Sequence, residues 1–496
     1  MHWTRVCVLA LSVFFIGCNA EPSRLNLIAG SEIRDLEPIF AEMQKEIGIE
    51  LNITYAGTLD GVERIRGGET FDAAWFSHAK YLKLSAKEKV QAEERIMLSP
   101  VVLGVKRSVV QKLGWSGKSI TWADIAKASE SGQLRYAMTN PTTSNSGFTA
   151  LMGVHSAFNG SSETLKKFFA GQRLTAGSSG WLAEAFVRDQ ANLDGMINYE
   201  SVLLSIQTQL QEPLELLYPK EGIVTADYPL VLLDNSKREL YQKVVDYLRL
   251  DKTQKRIMDS TLRRPATTNV PLSSAFPKAL LIELPFPATA QEVDSILAKF
   301  LSDQRRPAHS VFILDVSGSM EGERFTSLKN SIKRLAGADT SLTGRYSSFQ
   351  NREKVTIITF SGKVSQPKTR TIAGETTRQE IREQTDALVL DGGTAIYDAL
   401  NSAYAYLEAT VPNEPNNAFS VVLMTDGENN TGAVYNDFAT RFATFSSTTK
   451  AVKLFPILFG EANTDEMTNL ANLTGGRVFD GRKSLENAFK EIRGYQ

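Results

Sequence analysis

The pattern of apolar and polar positions changes repeatedly along the last third of the chain. The continuous apolar run at 311–314 is typical of a strand buried on both faces of a sheet, further apolar strands are predicted at 420–424 and 452–458, and strands are also predicted at 354–360 and 477–479. The helical pattern recurs between and after these strands, at 325–335, 377–388, 395–409, 465–473 and 485–492. Strands that alternate with helices predict a mostly parallel sheet with helices on both faces.

The first half of the chain shows a similar alternation, which predicts an α/β fold there as well. Strands are predicted at 25–29, 50–55 and 71–75, and helices at 33–47, 59–65 and 288–301. Residues 338–352 are polar and have little periodicity, so we interpret them as an inert surface loop, with a role in partner choice as the alternative. Arg305-Arg306-Pro307 marks the expected boundary between the two halves.

Composition excludes several classes of protein. A chain of 496 residues is long enough for about three domains, and its net charge of -1 provides no global field that would attract nucleic acid. The only cysteines are Cys7 and Cys18, so the body of the protein has no disulfide and no thiolate metal site. The four histidines are isolated in sequence, which argues against a zinc enzyme.

The N-terminal segment is interpreted as an export signal. Arg5 precedes an apolar run at 6–17, which at about 12 residues is too short to span a bilayer as a helix. Phe15-Ile16-Gly17-Cys18 resembles a bacterial lipobox, although Phe15 stands where that family usually has Leu. The resemblance implies that residues 1–18 are a signal peptide, that Cys18 is lipidated, and that the protein is anchored to a cell-envelope membrane. Asn19, in place of Asp, favours the outer membrane if the source is Gram-negative. The alternative is an ordinary cleaved signal that contains a cysteine.

Polar side chains follow the predicted strands of the C-terminal third. Asp315 ends the first strand, Ser317 and Ser319 lie in the turn after it, Thr394 opens a later helix, and Asp426 follows the strand at 420–424. In parallel α/β sheets the carboxyl ends of the strands form one edge, where ligands bind. Two carboxylates and three hydroxyls are hard oxygen donors, which suit Mg²⁺, Mn²⁺ or Ca²⁺ better than zinc or copper.

These residues resemble the metal-ion-dependent adhesion site of von Willebrand factor A domains. Asp315-Val316-Ser317-Gly318-Ser319 matches the opening motif, Thr394 the separate threonine, and Asp426-Gly427 the late aspartate. The resemblance implies a Rossmann-like α/β domain at 307–496 that holds Mg²⁺, Mn²⁺ or Ca²⁺, and a protein partner that offers an acidic residue to the ion. The alternative is a set of turn and capping residues without a metal. We interpret residues 428–430 as a solvated loop nearby.

Hydroxyl groups also follow strands in the first half of the chain. Gly30-Ser31, Gly57-Thr58, Ser146-Gly147, the segment 198–201 and Tyr218-Pro219 resemble features of type 2 periplasmic binding proteins of the molybdate and sulfate branch. The resemblance implies a two-lobed domain at 19–306 that binds a small polar or anionic ligand between its lobes. Its candidate ligand-binding residues are Ser31, Thr58, Ser77, Ser146 and Tyr199. Thr58 stands where the family more often has Ser, and Asn140 where Asp is frequent, so the ligand stays open, and each hydroxyl could instead cap a helix.

Three functions remain open after this reading. The first is an exported, lipid-anchored adhesion protein that binds a protein partner through a metal and carries a receptor-like domain for a small ligand. The second is the substrate-binding component of a solute importer. The third, a metal-dependent enzyme, is disfavoured because the sequence shows no general-base pattern beside the metal motif, no phosphate-binding loop and no H-E-x-x-H motif.

Overall fold

The computed structural model describes residues 23–278 and 280–496. The predicted signal peptide and Cys18 lie outside these residues. Among the helices of the described part, none is long and apolar enough to cross a membrane.

The N-terminal half contains strands and helices in irregular alternation. Its strands are β1 (Ser23–Ala29), β2 (Ile49–Tyr55), β3 (Ala73–Trp75), β4 (Ala92–Arg95), β5 (Met97–Lys106), β6 (Tyr136–Thr139), β7 (Gln172–Ala176), β8 (Gly195–Tyr199), β9 (Leu214–Leu217), β10 (Thr225–Ala226), β11 (Pro229–Leu232) and β12 (Arg264–Pro265). Its helices are α1 (Glu37–Ile47), α2 (Thr58–Arg66), α3 (Lys80–Ser85), α4 (Arg107–Lys112), α5 (Trp122–Glu130), α6 (Asn145–Ala157), α7 (Ser162–Phe169), α8 (Ser179–Arg188), α9 (Glu200–Ser205), α10 (Arg238–Arg249), α11 (Asp251–Thr261) and α12 (Ala290–Lys299).

These elements form two lobes, each built on its own sheet. Lobe 1 has the strand order β2-β1-β3-β11-β4, in which β1 runs parallel to β2 and β3. Lobe 2 has the order β10-β5-β8-β6-β7, with β9 and β12 also paired to β5. The chain passes between the lobes three times, at β4–β5, at β10–β11 and between β11 and β12. These crossings form the hinge, and Thr58 of α2 and Asn145 of α6 lie where the two lobes face each other.

The C-terminal half forms one six-stranded sheet with the order β15-β14-β13-β16-β17-β18, in which only β15 is antiparallel to its neighbour. Its strands are β13 (Ala308–Asp315), β14 (Lys354–Phe360), β15 (Lys368–Thr371), β16 (Ala418–Thr425), β17 (Lys453–Leu458) and β18 (Phe479–Asp480). Its helices are α13 (Glu323–Lys333), α14 (Leu342–Ser347), α15 (Glu375–Asp386), α16 (Ile396–Thr410), α17 (Tyr435–Thr444), α18 (Ser447–Lys450), α19 (Thr464–Thr474) and α20 (Leu485–Ile492). The predicted α/β class is confirmed.

The central strand β13 is buried along its whole length, which explains its continuous apolar run. Val311 and Ile313 point to one face of the sheet and pack in a core of their own. Phe312 and Leu314 point to the other face, and their core is continuous with that of the two lobes. The C-terminal domain therefore shares one apolar layer with the N-terminal half.

The interpretation of residues 338–352 as an inert surface loop is wrong. Residues Leu342–Ser347 form helix α14, and Phe349 behind it is fully buried. The carboxylate of Glu63 on lobe 1 accepts hydrogen bonds from the backbone amides of Leu342 and Thr343, at 2.7 and 3.0 Å. Because α14 has only six residues, its apolar residues are too few to produce a recognisable period, and its partner is distant in sequence.

The C-terminal domain contacts lobe 2 as well. The Asn140 side chain donates to the backbone carbonyl of Arg493 at 3.2 Å, and the ring of Tyr495 packs edge-on against Trp181 with centroids 4.9 Å apart. Gly177 approaches the same ring so closely that a Cβ there would lie 2.6 Å from it. The domain therefore lies against both lobes.

A buried cluster of charges lies where the two halves of the chain meet. Glu353, just before β14, accepts hydrogen bonds from the guanidinium groups of Arg305 at the boundary and Arg493 after α20. All three side chains are less than a tenth exposed. A carboxylate shared by two buried cations offsets charges that would otherwise be left unpaired away from water.

We expect Glu353→Ala to lower the free energy of unfolding by about 3–5 kcal/mol, because it leaves two guanidinium groups buried without their carboxylate. Denaturant unfolding measured by circular dichroism checks this. The control is Glu486→Ala, which breaks an ion pair with Arg334 whose side chains are 38% and 48% exposed. That change should cost about 0–1 kcal/mol, and equal losses in the two variants would contradict the prediction.

His78 lies at the junction of the lobes among aromatic rings. Its ring centroid is 5.6 Å from that of Phe148 on lobe 2 and 5.3 Å from that of Phe286 in the segment after β12. Neither ring nitrogen has a hydrogen-bond partner within the described residues. Burial lowers the pKa of His78 to about 3, and the charge of Lys80 acts in the same direction.

Because this pKa is depressed on folding, the stability that neutral His78 contributes is present above the unfolded value near 6.5 and is lost as the pH falls toward 3. We expect the wild type to lose about 2 kcal/mol more than His78→Phe between pH 7 and pH 5. Denaturant unfolding of both proteins at the two pH values measures the difference. Equal losses of unfolding free energy in the wild type and in His78→Phe would contradict this prediction and show that the His78 ring is hydrated in solution.

Candidate functional site

The first predicted metal ligand, Asp315, lies at the carboxyl end of β13 and is fully buried. One carboxylate oxygen accepts a hydrogen bond from the backbone amide of Ser317 at 2.8 Å. The other accepts one from the hydroxyl of Thr425 at 2.6 Å. Burial raises the pKa of the Asp315 carboxyl, and these hydrogen bonds act in the opposite direction. The side chain is therefore fixed by the ends of the two central strands, β13 and β16.

The two serines of the motif connect the two aspartates. The hydroxyls of Ser317 and Ser319 are 3.0 Å apart, and the Ser319 hydroxyl donates to Asp426 at 2.7 Å. Asp426 follows β16, and its side chain is fully buried. Asp315, Ser317, Ser319 and Asp426 thus form one cluster of oxygen atoms at the edge of the sheet.

Thr394 lies in a neighbouring loop that packs against the motif turn. The amide of Asp391 donates to the carbonyl of Val316 at 2.9 Å, and the amide of Gly362 donates to the carbonyl of Gly392 at 2.6 Å. Gly393 has φ +81°, and a Cβ there would lie 2.9 Å from Gly362, so the glycine is required for this approach. Thr394 is buried, and among the described residues its hydroxyl makes no hydrogen bond to the other four predicted ligands.

The segment 428–430 is only partly the solvated loop that we predicted. Glu428 and Asn430 are exposed and Asn429 is half-buried, yet the Asn430 side chain accepts a hydrogen bond from the amide of Thr394 and the Asn429 side chain accepts one from the amide of Ile396, each at 2.8 Å. These side chains hold the first turn of α16 and the Thr394 loop against the end of β16. Nothing in their local sequence pattern indicated such a role.

Arg324 is a member of this site that sequence reasoning missed. It lies in the first turn of α13, and its guanidinium donates to Asp426 at 2.6 Å, on the oxygen that Ser319 does not use. Its side chain is 35% exposed, and a second contact reaches exposed Glu461 at 3.7 Å. A single arginine near a motif carries no spacing signal, so only the fold identifies it.

The donor set of this cluster decides which cations it suits. Within the described residues, no group of three or more His, Cys, Asp or Glu side chains is placed to hold a metal ion. The cluster at the sheet edge instead combines two carboxylates with serine and threonine hydroxyls. This composition is that of a hard, weakly charged oxygen site.

The second set of predicted residues lies between the two lobes. Thr58, at the start of α2 in lobe 1, donates both its amide and its hydroxyl to the side-chain oxygen of Asn145 in lobe 2, at 2.6 and 2.7 Å. The side-chain nitrogen of Asn145 donates a hydrogen bond to the carboxylate of Glu32 in lobe 1 at 2.7 Å. Burial raises the pKa of Glu32, against the effect of this hydrogen bond. The two lobes are thus in direct contact at the centre of the cleft.

The other predicted cleft residues do not all belong to this contact between Thr58, Asn145 and Glu32. Tyr199 is buried, and its hydroxyl lies 3.5 Å from Glu32, so it belongs to the same group. Ser146 lies in a separate buried cluster of hydroxyls, 2.8 Å from Thr139 and 2.7 Å from Ser179. Ser77 is buried just after β3, where its carbonyl accepts from the amide of Tyr228 but its hydroxyl has no partner in the described part of the chain, and Ser31 is exposed.

The alternative of helix capping does not apply to Thr58, Ser146 and Tyr199. The residues before α2, α6 and α9 are Gly57, Ser144 and Tyr199, and none makes a side-chain capping bond. Thr58 and Ser146 lie inside the first turns instead. Sequence reasoning missed Asn145 and Glu32, although both adjoin residues that it selected.

Comparison with known proteins agrees with this architecture. Residues 25–260 match the family model of bacterial extracellular solute-binding proteins, and residues 311–493 match that of the von Willebrand factor type A domain. No curated protein matches the chain.

Solved structures similar to the chain include periplasmic binding proteins. One is AfuA of Actinobacillus pleuropneumoniae with fructose-6-phosphate bound, at 15% identity over 57% of this chain and 98% of that one, with a TM-score of 0.45. Another is the ferric binding protein of Campylobacter jejuni, at 15% identity over 55% of this chain and 98% of that one, with a TM-score of 0.44. The chain is thus similar to bacterial extracellular solute-binding proteins over residues 25–260 and to the von Willebrand factor type A domain over residues 311–493.

Proposed function

We propose that the protein is a non-enzymatic binding protein of the bacterial cell envelope. Its von Willebrand factor A domain binds an acidic group of a protein partner through a divalent cation. The residues that hold this cation are Asp315, Ser317, Ser319, Thr394 and Asp426. The observation that carries this proposal is the continuous cluster of four of these side chains at the carboxyl edge of the sheet. Mg²⁺ is the first candidate ion, and Mn²⁺ and Ca²⁺ suit the same donors.

The charge of the cluster supports a role in binding an anion. Two carboxylates balance one divalent cation, but Arg324 already neutralises part of the charge of Asp426. An ion held there would keep a net attraction for a further carboxylate, which an Asp or Glu of a partner can supply. The chemistry that the ion supplies is this electrostatic attraction, while the chain's own residues fix where it acts.

The surface around the cluster also suits a protein partner. Val389 and Val434 are 75% and 53% exposed, and they belong to the segments that precede Asp391 and follow Asn430. Exposed apolar side chains around a polar centre provide the desolvated contact that protein interfaces use. Ser319 is itself exposed, which leaves the cluster accessible from the same side.

The location is proposed from the family and from the N-terminal segment. The matched solute-binding family is extracellular, which supports export. We propose that Cys18 carries a lipid that anchors the protein to a membrane of the envelope, and no nucleic-acid partner is proposed.

Solute import is the second candidate function, and the cleft hydroxyls favour it. Against it, the amide and hydroxyl of Thr58 are engaged by Asn145 and not directed into open space. An enzymatic role has no comparable support, because the groups around Asp315 are hydrogen-bonded to one another and none is placed as a free general base.

We expect the chain from residue 23 onward to bind Mg²⁺ and Mn²⁺ in isothermal titration calorimetry, and Asp315→Ala to abolish the binding heat. The reason is that Asp315 supplies one of only two carboxylates in the cluster. The matched control is Asp386→Ala, which removes an exposed aspartate paired with Lys333 in the same domain. Binding that persists in Asp315→Ala, or that is absent from the wild type, would contradict the metal site.

We expect Arg324→Gln to raise the affinity for Mn²⁺ by about tenfold, equivalent to ~1.4 kcal/mol, because it removes a cation bound to Asp426. The measurement is the same titration, supported by the electron paramagnetic resonance signal of free Mn²⁺. Arg334→Gln, which changes an exposed arginine at the far end of α13, is the control. Unchanged affinity in Arg324→Gln would mean that the guanidinium swings away when the ion binds.

A further inference from the structure

The cleft of the solute-binding domain is bridged by a side chain of the protein itself. Asn145 lies at the start of α6 in lobe 2 and is 4% exposed. Its oxygen accepts two hydrogen bonds from Thr58, which lies at the start of α2 in lobe 1 and is 2% exposed. The Thr58 amide can only donate, so the orientation of the Asn145 carboxamide is fixed by its partners.

The position that this oxygen takes is one that a ligand would use. The first amides of a helix have no acceptor within the helix, and they favour an oxygen with partial negative charge. Thr58 adds a hydroxyl beside its amide, and the Asn145 oxygen satisfies both. The same carboxamide donates its nitrogen to the carboxylate of Glu32, so its two ends are held by lobe 1.

The backbone of lobe 1 also approaches lobe 2 closely around Asn145. A Cβ at Gly57 would lie 2.7 Å from the carbonyl oxygen of Thr143, and one at Gly30 would collide with the Asn145 carboxamide. Lobe 1 therefore approaches lobe 2 through two glycines that precede its helices. At Gly57 the obstacle is backbone of lobe 2, so a side chain there would push the lobes apart, whereas at Gly30 it would displace the side chains of Glu32 and Asn145.

The bridging segment is held from the opposite side by the C-terminal domain. Asn140 binds the carbonyl of Arg493, and a Cβ at Gly494 would lie 2.7 Å from the hydroxyl of Thr143. The same domain binds lobe 1 through Glu63 and helix α14. The separation of the two lobes is thus limited by a third body that contacts both.

We propose that Asn145 is an internal ligand that keeps the solute-binding domain closed, and that the closed domain serves as a rigid mount for the von Willebrand factor A domain. This inference does not depend on the metal site. Closure of such a domain ordinarily requires a solute to connect the lobes, whereas here the chain provides the connecting group. A solute could enter only by displacing Asn145 from Thr58 and Glu32.

The first test is hydrogen–deuterium exchange of the wild type without added solute, followed by mass spectrometry of peptides covering residues 57–60. An amide at the first position of a helix exchanges rapidly unless an acceptor protects it. We expect exchange at Thr58 to be slowed by at least about tenfold relative to Asn145→Ala, through loss of that acceptor. The control is Asn192→Ala, which removes an exposed asparagine of lobe 2 that binds only Asp189. Fast exchange in the wild type would overturn the proposal.

The second test measures the distance between lobes. The chain from residue 23 onward contains no cysteine, so a pair of spin labels can be attached to one molecule that carries Lys45→Cys in lobe 1 and Lys112→Cys in lobe 2. We expect one narrow distance distribution in the wild type and a broader, longer one in Asn145→Ala. Thr58→Val, which removes the hydroxyl and keeps the amide, should give an intermediate result if Asn145→Ala does not fold. A broad distribution in the wild type, or one that neither variant alters, would refute an internal ligand.

Discussion

The arrangement of the molecule depends on one buried carboxylate, Glu353, that is shared by Arg305 and Arg493. The first arginine stands at the boundary between the halves of the chain, and the second follows the last α-helix. Because buried cations must be compensated, the three side chains fix the start of β14, the boundary segment and the C-terminal segment relative to one another. The carbonyl of Arg493 then meets Asn140 of lobe 2, so this constraint reaches the cleft.

The two candidate sites use the same structural principle in opposite ways. Each lies where parallel strands end and helices begin, because amides and polar loops collect there. In the C-terminal domain these loops converge on oxygen atoms that are linked to one another and partly exposed. Between the lobes, the converging polar groups form hydrogen bonds with Asn145 and Glu32. The polar groups of the first site remain partly exposed, whereas those of the second hold the two lobes together through hydrogen bonds.

The sequence predicts the fold class and the oxygen cluster because both depend on local order. Buried strands such as β13 give continuous apolar runs, and the motif residues follow directly from those strands. The sequence does not predict contacts between side chains that lie far apart along the chain. Helix α14 binds Glu63 from about 280 positions away, and Arg324 reaches Asp426 across 102 positions. The cleft shows the same limit, since the residue types that bind a solute also bind an internal carboxamide, and local pattern does not distinguish the two.

The proposed metal site and the proposed closed cleft together suggest a physical reason for joining the two domains. A cation held by two carboxylates and several hydroxyls is weakly bound unless the donors are already in place, because each donor that must be ordered on binding reduces the affinity. Asp315 is ordered by Thr425 and Ser317, and the Thr394 loop by Asn430. The layer beneath β13 that positions these loops is shared with the lobes, through Phe312 and Leu314. A mobile, solute-driven hinge under that layer would disturb the donors with every opening, whereas a hinge closed by Asn145 leaves them fixed.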